Sequence, residues 1–138
     1  MGNPFSLGEI APGSSVLDVG CGAGFDLYVA KRLAGDSGRV CGLDLTMEMV
    51  DRARTSLAES GMSSIEVMHV STEDIPYSDN TFDTVISNGV INLSPCKQEL
   101  FREIFRVLKD GGILQFADVV LEKKLTGTLT GSLEAWSQ

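Results

Sequence analysis

Asp18, the glycines at 20, 22 and 24, and Asp44 are the residues whose types and spacing point to chemistry in this chain. The run Val16-Leu17-Asp18-Val19 is a short apolar strand that breaks into Gly20-Cys21-Gly22-Ala23-Gly24, and the helical pattern of Phe25 to Ala34 follows. Strand, tight loop and helix in that order make a ligand pocket. Glycine takes positive φ and lets a ligand approach main-chain N–H groups with no Cβ in the way. Glycine-rich turns also arise for packing alone, so a second feature has to support the loop. Arg39-Val40-Cys41-Gly42-Leu43-Asp44 supplies it, as a buried-type strand ending in an acid roughly 20 residues on, the place from which a carboxylate bonds ribose hydroxyls. The dinucleotide fingerprint G-x-G-x-x-G needs its third glycine at position 25, where this chain has Phe25, so a nicotinamide-dependent dehydrogenase is disfavoured. Asp18, at the C-terminal end of its strand, disfavours a diphosphate and suits a ligand with an amino group or positive charge.

The elements that must hold these residues in place follow from the rest of the chain. Its 138 residues, 43% of them hydrophobic, are enough for one domain with a real core at about 150 residues per domain. Residues 1–138 are expected to be that single domain, with the core at 13–120 and an extended or poorly ordered tail at 121–138. A formal charge of −8 argues against nucleic-acid backbones and anionic membrane surfaces as partners. No export signal and no apolar run of about 18 residues is visible. Three cysteines, Cys21, Cys41 and Cys96, without a C-x-x-C pair fit reduced thiols and a cytoplasmic location. No metal site is expected, because His69 is the only histidine.

Met1 to Ser15 holds Pro4, Pro12 and Gly13 with a short apolar patch at Leu7 to Ile10, and reads as an irregular segment ahead of the core. The first helix is expected to be apolar along Phe25, Leu27, Val29, Ala30 and Leu33. Thr46 is an N-cap candidate for a second helix with a stripe of Met47, Val50, Ala53 and Leu57 that stops at Gly61. Ile65 to Val70 alternates as a third strand, Ser71 to Asp79 is a polar loop, and Phe82 to Ser87 is a fourth strand ending at Asn88. Ser94 caps a further helix with Pro95 at its first position and a face of Leu100, Phe101, Ile104, Phe105 and Leu108. Gly111-Gly112 ends it, and Ile113 to Leu121 is a fifth strand. Strands alternating with helices at this spacing demand parallel pairing and right-handed crossovers, hence a doubly wound α/β sheet with ligands beyond the strands' C-terminal ends.

On these residues the sequence resembles class I S-adenosylmethionine-dependent methyltransferases, through VLDVGCGAG at 16–24, GLD at 42–44, DNTFDTVIS at 79–87 and FREIFRVLKDGG at 101–112. Within them, GNP at 2–4, GFD at 24–26 and SNGVINLSPCKQ at 87–98 are similar to the arsenite methyltransferase group, beside the ubiquinone and menaquinone biosynthesis methyltransferases. S-adenosylmethionine, with its ammonium and sulfonium, agrees with the carboxylate reading. The resemblance implies a Rossmann-like, mainly parallel sheet of order 3-2-1-4-5 that lacks the family's last β-hairpin. It implies a cofactor site of Asp18, Gly20, Cys21, Gly22, Gly24, Asp44, Leu45, Met47, Thr72, Glu73, Asn88 and Gly89. The glycine loop would cradle the methionine part, Asp44 bind the ribose, and Leu45 and Met47 flank the adenine. Thr72 and Glu73 would meet the adenine edge, and Asn88 and Gly89 lie beside the methyl group. Many relatives carry an acid where this chain has Ser71.

For the acceptor the departures weigh more than the matches. Arsenite relatives hold As(III) with cysteine thiolates at positions that here are Met1 and Gly89. The expected activity is methyl transfer from S-adenosylmethionine to a small acceptor, arsenite-like, with S-adenosylhomocysteine as product. The alternative is a cofactor-binding module without turnover, its acceptor site missing. No catalytic residue is nominated, since a soft nucleophile needs no strong base and His69 lies within a strand, ahead of the ligand edge. Cys96, at the start of a helix, is read as a surface thiol, Cys41 as core, and Asp74, Asp79 and Asp83 as turn and solvation residues. An uncovered fifth strand would invite self-association along its edge.

Overall fold

The computed structural model of the chain describes residues 10–87, 97–116 and 119–122. In order these form β1 (Ser15–Val19), α1 (Phe25–Ala34), β2 (Arg39–Asp44), α2 (Met47–Glu59), β3 (Glu66–His69), β4 (Phe82–Ser87), α3 (Lys97–Val107), β5 (Leu108–Phe116) and β6 (Val119–Glu122). The sheet order is β3-β2-β1-β4-β5-β6. The first five strands pair in parallel and β6 runs antiparallel to β5. The doubly wound, Rossmann-like sheet of order 3-2-1-4-5 expected from the sequence is therefore present. Val19 pairs with both Leu43 and Ser87, and Asp44 pairs with His69, so the strand ends meant to carry the site stand level along one edge.

Alternation along the strands divides the core between the two faces. Val16, Val40, Val67 and Ile86 pack with Leu27 and Ala30 of α1 and Val50, Ala53 and Leu57 of α2. Leu17, Leu43, Val85 and Leu114 pack on the other side with Leu100, Phe101, Ile104 and Val107 of α3. Gly42 lets the first layer close up, since a Cβ there would stand 2.6 Å from Leu27 Cδ1 and 3.0 Å from Cys21 Sγ. The glycine loop is thereby held directly over β2.

Several details differ from the sequence reading. Phe25 is 76% exposed and Leu33 also faces solvent, so α1 buries the narrower stripe Leu27, Ala30 and Ala34. Met47 is likewise exposed at the start of α2, while Val50, Ala53 and Leu57 are buried as expected. Helix α3 gives way to strand at Leu108, and the Gly111-Gly112 pair sits inside a register shift of β5 against β4, with Gly111 at φ 81°. The run Ile113 to Leu121 is not one strand. β5 ends at Phe116, and β6, starting at Val119, runs back beside it so that Ile113 pairs with Glu122 and Phe116 with Val119. A continuous apolar run carries no mark of such a reversal. The outer edge of β5 is thus paired by a sixth strand beyond the five expected, which removes the motive for self-association at that edge, and Leu121 and Glu122 belong to strand rather than tail. The Ser94 cap with Pro95, the segment Met1 to Glu9 and the tail from Lys123 lie outside the described residues.

Candidate functional site

The loop between β1 and α1 is built from three left-handed turns: Gly20 at φ 79°, Gly22 at 56° and Gly24 at 96°. Side chains are strained at such angles, which explains the alternate glycines. Gly24 is the N-cap of α1, and a Cβ there would press on Ala53 Cβ at 3.3 Å. At Gly22 a Cβ would meet nothing within 4 Å, so this glycine borders open space.

The loop's donors, however, are turned inward. Gly20 N–H and Cys21 N–H both donate to the Leu43 carbonyl, at 2.8 and 2.9 Å, and Gly24 N–H donates to the Cys21 carbonyl at 3.1 Å. Gly22 N–H donates to Asp44 Oδ2 at 2.9 Å. The sequence reading had a ligand approaching N–H groups; the fold instead spends four of the loop's five on itself. A phosphate site at a helix N-terminus needs those donors free. What the loop presents outward is shape and carboxylate charge.

Asp44 ends β2 with its other oxygen, Oδ1, accepting from Thr46 N–H and Thr46 Oγ1, each at 3.0 Å. Thr46 occupies the N-cap position of α2, but its hydroxyl makes no cap bond to the helix. It braces Asp44 instead, a role that no local pattern marks. Asp44 is thus fixed from the glycine loop on one side and the β2–α2 turn on the other; both lone pairs of Oδ1 are taken by Thr46, and Oδ2 keeps one for a further donor.

Asp18 is 2% exposed on β1, on the face shared with Ile86, and its Oδ2 has no hydrogen-bond partner among the described residues. Burial, reinforced by the neighbouring charges of Asp26 and Asp44, pushes its carboxyl well above the usual range. An orphaned buried carboxylate under such a loop is a site for a cationic group. The Cys21 thiol, buried and close to the same two acids Asp18 and Asp44, is pushed up to about 12 and stays a neutral thiol.

Beside Asp44 opens a cleft. Val19, Gly20, Leu43, Asp44 and Leu45 form one side; Val70, Thr72, Glu73, Asp74 and Ile75 form the other, with Leu100 of α3 at the base. Val70 N–H donates to the Asp44 carbonyl at 2.9 Å and closes the corner between them. His69 is exposed, and its Nε2 lies 3.0 Å from the Leu45 carbonyl. Of the residues singled out in the sequence, Gly20, Asp44, Leu45, Thr72 and Glu73 line the cleft, Asp18, Cys21, Gly22 and Gly24 form the adjoining loop and its floor, and Met47 stands apart from the lining. Asn88 and Gly89 lie outside the described residues, as do Met1 and Cys96.

The sequence reading left out Val70, Ile75 and Leu100, which carry no motif and give the cleft its apolar walls. Asp74, assigned to a turn, also lines it; its N–H donates to the Thr72 hydroxyl oxygen at 3.2 Å. Asp79 and Asp83 serve structure: Asp79 pairs with Arg106 at 2.8 Å, and Asp83 accepts from Ser15 N–H at 2.8 Å and pairs with Lys109 at 3.2 Å.

An acid at the end of β2, a glycine loop that turns four of its five N–H groups inward and an apolar slot between them give a doubly wound fold with a cleft suited to a cationic rather than a phosphorylated ligand. Residues 10–138 match the methyltransferase domain family, and the chain belongs to it. It is 41% identical over 119 residues to an arsenite methyltransferase of Halobacterium salinarum, covering 86% of this chain and 30% of that protein. It is 36% identical over 114 residues to a demethylmenaquinone methyltransferase of Listeria monocytogenes, covering 81% of this chain and 47% of that one. Among solved structures, a SAM-dependent methyltransferase from Aquifex aeolicus superposes with a TM-score of 0.76 at 26% identity, over 90% of this chain and 73% of the other. The chain spans less than half the length of these two curated relatives.

Proposed function

We propose that this domain binds S-adenosylmethionine in the Asp44 cleft and transfers its methyl group to a small acceptor, releasing S-adenosylhomocysteine. The observation that carries the reading is the inward turn of the loop's N–H groups beside Asp18 and Asp44, which leaves a cradle for positive charge. When bound, the sulfonium supplies an activated methyl group. The chain's part is to hold and align. Asp44 offers the remaining lone pair of Oδ2 to the ribose hydroxyls, Asp18 lies below the loop as counter-charge for the ammonium, and Leu45, Val70 and Ile75 enclose the base with Thr72 and Glu73 at its edge. Asn88 and Gly89 are assigned to the methyl end. In-line transfer to a soft nucleophile asks for alignment and exclusion of water more than for a base, so no general base is assigned.

The core of this activity is placed in residues 13–120, in a cytoplasmic protein whose partner is a small molecule and not a nucleic acid. Among the described residues no helix is long and apolar enough to cross a membrane. For the acceptor, arsenite and a quinol-like ring are the two classes that the similar proteins' names offer. A second reading, cofactor binding without turnover, is favoured by one observation: Cys21 and Cys41 are buried, and burial foremost pushes both thiols up, so neither offers a thiolate to As(III). Calorimetry with S-adenosylmethionine and S-adenosylhomocysteine tests the shared part. Turnover assays with arsenite and with a demethylated quinol then separate the two readings, and failure of Asp44→Ala to weaken binding would remove both.

A further inference from the structure

The wall of the cleft formed by residues 72–75 belongs to the long connection from β3 to β4, which has no strand beside it. Ile75 is nevertheless 4% exposed and part of the core beneath α3, so its peptide groups need partners that a sheet does not supply. Two side chains of α3 supply them. Ile75 N–H donates to Glu103 Oε1 at 2.8 Å, and the Ile75 carbonyl accepts from Arg106 Nη2 at 2.8 Å. The same guanidinium reaches the Tyr77 carbonyl at 2.9 Å and Asp79 Oδ1 at 2.8 Å through Nη1. Its Nε binds Glu103 Oε2 at 2.7 Å, which locks the two side chains into one fork. The main chain of the same helical turn continues the attachment, with Asn80 N–H on the Arg106 carbonyl at 3.0 Å and Thr81 N–H on the Val107 carbonyl at 2.7 Å. Leu100, one turn earlier on the same helix, forms the base of the cleft, while neither Glu103 nor Arg106 lines it.

We infer that Glu103 and Arg106 are positioning residues for ligand recognition: by holding both peptide groups of Ile75, they set where the 72–75 wall stands against a nucleoside base. This deepens the proposed function and rests on its placement of the base in this cleft. Every bond in the fork has a defined direction, and a lysine at 106 would offer a point charge that cannot reach Ile75, Tyr77, Asp79 and Glu103 together. A wall released in this way weakens contacts to the base edge without altering the Asp44 end.

The test compares S-adenosylhomocysteine with its hypoxanthine counterpart, in which the 6-amino group is a carbonyl, by calorimetry on the whole chain. Arg106→Lys and Glu103→Gln are expected to bind S-adenosylhomocysteine at least about tenfold more weakly and to lose most of the preference for adenine over hypoxanthine. Glu103→Gln, which keeps one oxygen for Ile75 N–H, should retain more affinity than Glu103→Ala. Lys109→Ala, which removes the ion pair to Asp83 at the far end of the sheet, should lower Tm without changing either affinity or preference. Unchanged affinity and preference in both fork variants, with only Tm lowered, would overturn the inference and leave the pair a role in folding alone. If one variant does not fold, the other decides. A wild-type chain that binds neither ligand fails earlier, at the placement of the nucleoside, and is told apart from failure of the fork by that control.

Discussion

Gly22 and Asp44 are bonded to each other: the N–H of the middle loop glycine donates to Asp44 Oδ2 at 2.9 Å. The two features that the sequence offered as separate marks of a pocket are therefore one rigid unit. Residues 22 positions apart in the chain are set to each other within a hydrogen bond, and Thr46 holds the opposite oxygen of the same carboxylate at 3.0 Å. A ligand that spans loop and acid meets groups that are already ordered, so little conformational entropy is lost in arranging them.

That bracing makes Thr46 testable apart from Asp44. Asp44→Ala removes the carboxylate and should weaken S-adenosylhomocysteine on the order of a hundredfold, the loss of a hydrogen bond to a charged group. Thr46→Val removes the hydroxyl brace but keeps the Thr46 N–H bond in place, and should cost about three- to tenfold. Calorimetry at a single pH reads both; equal losses in the two variants would mean that the hydroxyl does more than orient the acid.

The contact between β2 and the glycine loop gives a stability prediction. A methyl group at position 42 would stand 2.6 Å from Leu27 Cδ1 and 3.1 Å from Cys21 Cβ, in a layer with no spare room. Gly42→Ala should destabilise the chain by about 1–3 kcal/mol, as overpacking of a core does, and weaken the ligand because Cys21 sits in the loop that must move. Urea unfolding together with calorimetry checks it. Loss of stability with full affinity would show that α1, not the loop, had given way.

Asp18 predicts a coupling between binding and protons. Burial first, then Asp26 and Asp44, raise its folded-state pKa, so in the free protein it holds a proton to higher pH than an exposed aspartate. A cation placed beside it favours the charged form and lowers that pKa, so ligand binding should release a proton and strengthen as pH rises through the free protein's value. Folding has the opposite sign: the cost of burying this acid is absent below the unfolded pKa, grows as pH rises from there toward the folded value and is complete above it. Asp18→Asn should therefore raise the Tm of the free protein at neutral pH while weakening the ligand and abolishing the proton release. Calorimetry in buffers of different ionisation enthalpy measures the proton count, and a count of zero in the wild type at every pH would contradict this account.

How much of this was legible in the sequence follows from what each feature depends on. β1, α1, β2 and β4 were readable because apolar runs and glycines mark them locally, and Asp44 because its place at a strand end follows from the same run. Gly20, Gly22 and Gly24 were readable from φ requirements alone. The direction of the loop's N–H groups was not, since it depends on the Leu43 carbonyl and Asp44, contacts that arise only when β2 pairs beside β1. The Thr46 hydroxyl could cap a helix or brace an acid with equal propensity, and only the position of Asp44 decides. Phe25 fits an apolar stripe by type, yet it stands at the first residue of α1 and is exposed. The antiparallel pairing of β6 with β5 is hidden because an apolar run reads alike whether it continues or reverses. Ile75 and Leu100 carry no mark because they form a wall only through the packing of α3 on the β3–β4 connection.

The Glu103–Arg106 fork also fixes the acid limb of stability. The Arg106 guanidinium, and after it the Ile75 N–H, hold the Glu103 carboxyl below the usual range, as Arg39 holds Glu66. A carboxylate whose folded pKa is depressed contributes stability that is complete above its unfolded pKa near 4.5 and is lost as pH falls through the folded value. Wild type should thus lose Tm steeply below about pH 4.5 as Glu103 and Glu66 take up protons. Glu103→Gln should start from a lower Tm at pH 7, and its difference from wild type should shrink below that pH, because the variant has no charge left there to neutralise. Asp18 acts with the opposite sign from its unfolded pKa of 3.8 upward, so Asp18→Asn should steepen the loss above that value and leave the limb below it unchanged. Thermal unfolding of the three proteins from pH 7 to pH 3 separates the two groups. A Glu103→Gln difference that stays constant across the whole range would show that the fork's stability does not come from its charge.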